Sequence, residues 1–251
     1  CNVTPSQPLG TAMAEVVDDG PPGGPGAVLS YLREGAPSYI AEVPTTVPVM
    51  EGGHGGHPAH SARCQAFIEW LDARGLDVIV FDMDRTMSRG HCGQGLPRDQ
   101  IEGYLEGRSH DFVEAAQALA DLGRHRLAVA TGSDPLEYQL PGQGMDTHIL
   151  GPDLALALLN RWCPEATAKF EVMVGYDFEL HGGNVHDKGK RYHMRRIAEH
   201  YGAEFRQMVL FDDSQGCLEN EDGWLGVKVS DSLGFRFEDC FEHQGELPGA
   251  Q

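Results

Sequence analysis

Asp82 and Asp84 stand two residues apart, directly after the apolar run Val78-Ile79-Val80-Phe81, and Thr86 follows them. Carboxylates this close repel one another unless a cation or a reaction uses both. A second apolar run, Leu127-Ala128-Val129-Ala130, closes on Thr131. A third, Met208-Val209-Leu210-Phe211, closes on Asp212 and Asp213, and Lys188 and Lys190 lie between the two. Apolar runs of this length read as buried strands. The reactive side chains then sit at strand carboxyl ends, where open α/β sheets bind their ligands. An oxygen-only donor set suits a hard cation such as Mg²⁺, and an ionised carboxylate can serve as a nucleophile. The bland reading of one such aspartate is a turn or helix cap. Asp212-Asp213-Ser214 fits that role by itself, but the ordered set does not reduce to caps.

The order of Asp82-x-Asp84-x-Thr86, Thr131, a lysine and Asp212-Asp213 resembles the haloacid dehalogenase-like (HAD) hydrolase superfamily over roughly residues 61–235. The resemblance implies phosphoryl transfer through an aspartyl-phosphate. Asp82 would attack phosphorus, and Asp84 would act as acid and then as base. Thr131 would donate to a phosphoryl oxygen, and the lysine would neutralise developing charge. Asp82, the carbonyl of Asp84 and Asp213 would hold Mg²⁺. Asp212 is the alternative direct ligand, expected instead to orient the lysine. Lys190 is followed by His193, and this Lys-x-x-His spacing is similar to the magnesium-dependent phosphatase group within the superfamily. Lys190 is therefore preferred over Lys188. Arg85 replaces the small residue that many members carry, and faces either substrate or solvent. Asn220 and Asp222 either support the metal or end a helix.

The elements that must position these groups are legible. Ser61 reads as the cap of a helix carrying Cys64, Phe67, Ile68 and Leu71, stopped by Gly75. Ser109 and Gly123 bracket a second helix. Residues 152–162, 190–201 and 215–222 read as helices, and 77–82, 127–131, 170–176, 208–212 and 226–229 as strands. This alternation predicts an α/β fold, a Rossmann-like parallel sheet flanked by helices. No internal repeat is visible.

The chain divides near residue 60. Residues 1–60 hold 9 of the 15 prolines and no Phe or Trp, so they read as an extended Pro/Gly-rich arm. Residues 61–251 form the expected phosphatase domain. His54, His57 and His60 have metal-like spacing, but the interleaved glycines favour a loop. The arm motivates a second reading, in which the domain is an accessory subunit of a larger assembly and the arm binds a protein neighbour.

Only about 20 residues, 88–108, separate the first motif from the next helix, and four of them are Gly90, Gly93, Gly95 and Pro97. That suits a flap, a minimal cap, rather than a covering domain. The expected substrate is bulky and phosphorylated, such as a phosphoprotein. The alternative is a small phosphorylated sugar beneath an improvised lid.

The formal net charge of −19 over 251 residues disfavours nucleic acid as a partner. No apolar stretch reaches the length of a membrane span. The six cysteines show no CxxC pair, which favours reduced thiols in an intracellular, soluble protein. The even count and the sequon Asn2-Val3-Thr4 leave secretion as the alternative.

Overall fold

The computed structural model describes residues 39–42, 60–93, 95–183, 185–230 and 232–242. The strands are β1 (Tyr39–Glu42), β2 (Val78–Phe81), β3 (Leu96–Pro97), β4 (Arg126–Thr131), β5 (His148–Ile149), β6 (Phe170–Gly175), β7 (Met208–Asp212) and β8 (Leu225–Lys228). The helices are α1 (Ala62–Ala73), α2 (Ile101–Leu105), α3 (His110–Leu122), α4 (Gly151–Trp162), α5 (Pro164–Thr167), α6 (Arg191–Tyr201), α7 (Gln215–Leu218) and α8 (Asp239–Glu242).

The main sheet has the order β1-β6-β4-β2-β7-β8. Strands β6, β4, β2, β7 and β8 are parallel, as the alternation predicts, and β1 pairs antiparallel with β6 at the edge. From β2 the chain steps outward to β4 and β6, then returns to build β7 and β8 on the other side. The order therefore reverses between β2 and β7, which is where doubly wound sheets open a crevice for ligands.

Both faces of the sheet are covered, so its central strands are apolar throughout. Alternation sends Ile79, Phe81, Leu127, Val129, Val209 and Phe211 to one core, with Phe67 of α1, Phe112 of α3 and Leu158 of α4. Val78, Val80, Ala128, Ala130, Met208 and Leu210 go to the other, with Met194 and Ile197 of α6. In the first core the Phe81 and Phe211 rings stack at 5.2 Å, one residue before Asp82 and Asp212 in the chain. A one-residue slip of β2 would exchange the two faces and bring its buried side chains onto the wrong helices. The site's position is thus fixed by core packing.

The caps follow the sequence. Ser61 Oγ accepts from Cys64 N at 3.2 Å and Ser109 Oγ from Phe112 N at 3.2 Å. Gly75 and Gly123 take left-handed backbone after α1 and α3.

Three differences stand out. The helix expected over 215–222 ends at Leu218. Beyond it the Asn220 amide bonds the Leu218 and Trp224 carbonyls, and its Oδ1 accepts from Gly223 N, so local side-chain bonds replace helical ones. β1 was not anticipated; it comes from the Pro/Gly-rich segment, whose other residues before His60 lie outside the described ones. The sequence also reads as one short helical turn over Val28–Arg33, and those residues lie outside the described ones as well.

The flap also has more structure than a loop. It contains α2 and β3, and β3 pairs with β5. An antiparallel bridge between Ser88 and Arg108 closes its root. Trp162 Nε1 of α4 donates to the Leu105 carbonyl at 2.8 Å, and Arg98 Nε donates to the Met145 carbonyl at 2.7 Å. It is a small shoulder anchored to the body. Among the described residues no helix is long and apolar enough to cross a membrane.

Candidate active site

Asp82 follows β2, Thr131 ends β4, Asp212 ends β7, and Asp213 follows it. These are three neighbouring parallel strands, so all four residues emerge at the carboxyl ends of the central strands. Lys190 reaches them from the start of α6. Its Nζ donates to Asp82 Oδ1 at 2.6 Å and to the Ala130 carbonyl at 2.7 Å, and lies 3.7 Å from Asp212 Oδ2. The lysine is buried, as are Asp82 and Asp212.

Gly189 sets the entry of Lys190. It has φ +63°, and a Cβ there would stand 2.7 Å from the Gly216 carbonyl. No other residue fits that turn. Lys188 points elsewhere, with its Nζ 6.0 Å over the Phe178 ring.

His193, one turn after Lys190, is fully buried. Its Nε2 lies 2.8 Å from the Thr131 carbonyl. A carbonyl only accepts, so the proton is on Nε2. Burial, aided by the Lys190 charge, holds its pKa well below the ordinary histidine value, which keeps the ring neutral. The Lys-x-x-His spacing thus ties α6 to β4, with the ammonium at Asp82 and the imidazole at Thr131.

The donor oxygens of Asp82, Asp212 and Asp213 all lie within 4.8 Å of one another. Burial drives the Asp82 pKa upward; Lys190 opposes this, and Asp212 and Asp84 add to it. Asp212 is raised too, again mainly by burial. Lys190 is held above the ordinary lysine range, because Asp82 and Asp212 outweigh its desolvation. One ammonium does not balance three carboxylates. Asp212 Oδ2 is moreover buried without a hydrogen-bond partner, while its Oδ1 accepts from Ser214 N at 2.7 Å. Among the described residues Oδ2 has only the 3.7 Å ion-pair contact with Lys190, and three clustered carboxylates fit a hard divalent cation such as Mg²⁺. Arg85 NH1 lies 3.7 Å from Asp213 Oδ2, and its backbone has φ +54° within the wide turn Met83–Met87.

The Asp84 side chain stands outside that trio. Tyr104 donates to Oδ1 at 2.6 Å, Cys92 N donates to Oδ2 at 3.1 Å, and His91 Nδ1 lies 3.0 Å from Oδ2. All three belong to the flap. Asn220 and Asp222 do not join the site: Asn220 closes its own turn, and Asp222 faces Arg195 at 3.6 Å.

Thr131 is buried, and its Oγ1 accepts from Ser133 N at 3.3 Å. Gly132 beside it is exposed, and a Cβ there would meet nothing within 4 Å. The crevice is open on that side.

His60 gathers with Cys64 and Glu114, donor atoms again within 4.8 Å. Glu114 there accepts from Ser61 N at 2.6 Å, and burial pushes the Cys64 thiol up to about 12. These are a helix-terminal contact and a core thiol. His54 and His57 lie outside the described residues. Cys64, Cys92, Cys163, Cys217 and Cys240 are all free thiols.

The sequence placed Asp82, Asp84, Thr131, Lys190, Asp212 and Asp213 at one locus; the structure gathers Asp82, Lys190, Asp212 and Asp213, sets Thr131 at the neighbouring strand end, and holds the Asp84 side chain on the flap. It did not foresee His91, Cys92 and Tyr104, which are adjacent to Asp84 only through the flap's fold-back. Comparison with family models and with curated proteins finds no match for this chain.

Proposed function

We propose that the chain is a Mg²⁺-dependent phosphomonoester hydrolase of the HAD type, acting through an aspartyl-phosphate on Asp82. One observation carries the reading. Asp82, Thr131, Lys190, Asp212 and Asp213, drawn from four separate segments, converge where the strand order reverses.

Asp82 supplies the nucleophilic oxygen, which attacks phosphorus in line with the leaving oxygen. Lys190 holds that carboxylate and offers its charge to the transferred group. The Thr131 hydroxyl donates to a phosphoryl oxygen. Asp84 gives a proton to the leaving oxygen, then takes one from the water that cleaves the aspartyl-phosphate. Asp82, Asp212 and Asp213 would hold Mg²⁺, with the Asp84 carbonyl as a further ligand. The ion's part is to neutralise charge on the phosphoryl oxygens.

The proposed substrate is bulky, such as a phosphoprotein. The flap is anchored at Trp162 and Met145, which favours a fixed shoulder over a moving lid. An open crevice admits a large ester and gives up the water exclusion of a closing lid. The free thiols fit a reducing compartment, in line with an intracellular location.

The test is turnover of p-nitrophenyl phosphate by the whole chain, with Mg²⁺ and with excess chelator. Mg²⁺-dependent release of nitrophenol supports the reading. No release under either condition removes it and favours the accessory-subunit alternative.

A further inference from the structure

We infer that Tyr104, locked by Ser88 and Gly90, is a positioning residue for Asp84 and sets how well poor leaving groups are expelled. The inference rests on the phosphatase reading above. It concerns a residue 20 positions from its target, on the far limb of the flap.

Among the described residues the Tyr104 hydroxyl makes the shortest contact to Asp84, 2.6 Å to Oδ1. Ser88, fully buried at the flap's root, lies 2.8 Å from the same hydroxyl and 2.9 Å from the Gly90 carbonyl. The Tyr104 ring packs on Gly90 so closely that a Cβ there would stand 2.8 Å from the ring. Gly107 N donates to the Tyr104 carbonyl at 3.0 Å, and Arg89 N donates to the Gly107 carbonyl at 2.6 Å. The two limbs of the flap are therefore stitched together around this ring.

Other groups around Asp84 do less to fix it. His91 is more than half exposed, so water competes for its contact. Cys92 Sγ is 3.4 Å from Oδ2, a weak donor. Cys92 N fixes Oδ2 alone. Among the described residues only Tyr104 fixes Oδ1. Burial, aided by Asp84, pushes the phenol's pKa upward, so it stays a donor.

With both oxygens held, Asp84 has one orientation, and the turn Met83–Met87 keeps it close enough for its charge to act on Asp82. A general acid must lie within about 3 Å of the atom it protonates. Loss of one charge-assisted bond is worth about 10- to 100-fold when the geometry depends on it. The need for that acid grows with the basicity of the leaving group. Phenolate leaves with difficulty, whereas p-nitrophenolate leaves readily.

The experiment compares kcat/KM for phenyl phosphate and p-nitrophenyl phosphate with Mg²⁺, in the unaltered chain, Tyr104→Phe and Gly90→Ala. kcat/KM reports the steps through transfer to Asp82, the half in which Asp84 is the acid. Tyr104→Phe keeps the ring against Gly90, and a melting curve checks its fold. The expected result is a loss of about 10-fold or more on phenyl phosphate and a clearly smaller loss on p-nitrophenyl phosphate. Gly90→Ala keeps the hydroxyl but displaces the ring, and should show the same split. Equal losses on the two esters, or none, in a folded Tyr104→Phe chain overturn the inference while leaving the phosphatase reading standing. Failure of the unaltered chain to hydrolyse either ester removes that reading and this inference with it.

Discussion

Lys190 Nζ and Asp82 Oδ1 stand 2.6 Å apart, both buried, 108 residues apart in the chain. A buried charge without its partner is expensive, so each residue needs the other to fold as well as to react. Lys190→Ala leaves Asp82 and Asp212 facing each other uncompensated. It should abolish turnover and lower stability by about 3–5 kcal/mol. Lys188→Ala, whose ammonium lies over Phe178, should lose little of either. Turnover rates and denaturant midpoints of the two variants check this. The reverse ranking would move the catalytic lysine to position 188.

The backbone before Lys190 is equally constrained. Gly189→Ala puts a Cβ against the Gly216 carbonyl at φ +63°. The expected result is a stability loss of about 1–3 kcal/mol together with reduced kcat, because the turn that aims Lys190 must shift. A fully active and equally stable Gly189→Ala chain would show that the turn is not needed.

Metal dependence follows from the carboxylate trio. Asp213→Asn removes charge from the group formed with Asp82 and Asp212, and should raise the Mg²⁺ concentration needed for half-maximal activity. Ca²⁺ should inhibit, since its larger and looser shell misplaces the attacking oxygen. Rates titrated against each ion decide it. Unchanged rates in excess chelator would contradict the assignment.

In the segment that follows Thr131, Glu137 gives a pH signature. Burial raises its pKa from an ordinary 4.5 to about 7, although it accepts from Asp134 N at 2.8 Å. A raised acid binds its proton more tightly folded than unfolded. Between those two values the folded state holds the extra proton, so stability falls as pH rises. The contribution is fully present below 4.5 and lost as pH passes through about 7. The melting temperature should drop from pH 5 to pH 8, and Glu137→Gln should flatten that drop. An unaltered slope in the variant would refute the assignment.

The sheet was legible because parallel strands buried on both faces write continuous apolar runs, as in Val78–Phe81 and Met208–Phe211. Ser61, Ser109, Gly75 and Gly123 marked α1 and α3 by the chemistry of helix ends. The helix after Asp213 was read too long, because Asn220 bonds its own turn and composition alone does not reveal that. The site acids and Lys190 were legible through their order. The hold on Asp84 was not: His91, Cys92 and Tyr104 share no spacing, and only the fold-back of residues 88–108 brings them together. Gly90 was visible as a glycine, but its closeness to an aromatic ring is a tertiary fact.

The central claim is a covalent bond between Asp82 and phosphorus. The most direct measurement is acid quenching of the whole chain during turnover of p-nitrophenyl phosphate with Mg²⁺, followed by peptide mass analysis. The account predicts one added phosphoryl group on the peptide carrying Asp82, absent from Asp82→Asn, which should also lose turnover by several orders of magnitude. A folded Asp82→Asn chain that turns over at the original rate, or a phosphoryl group trapped on another residue, would contradict it.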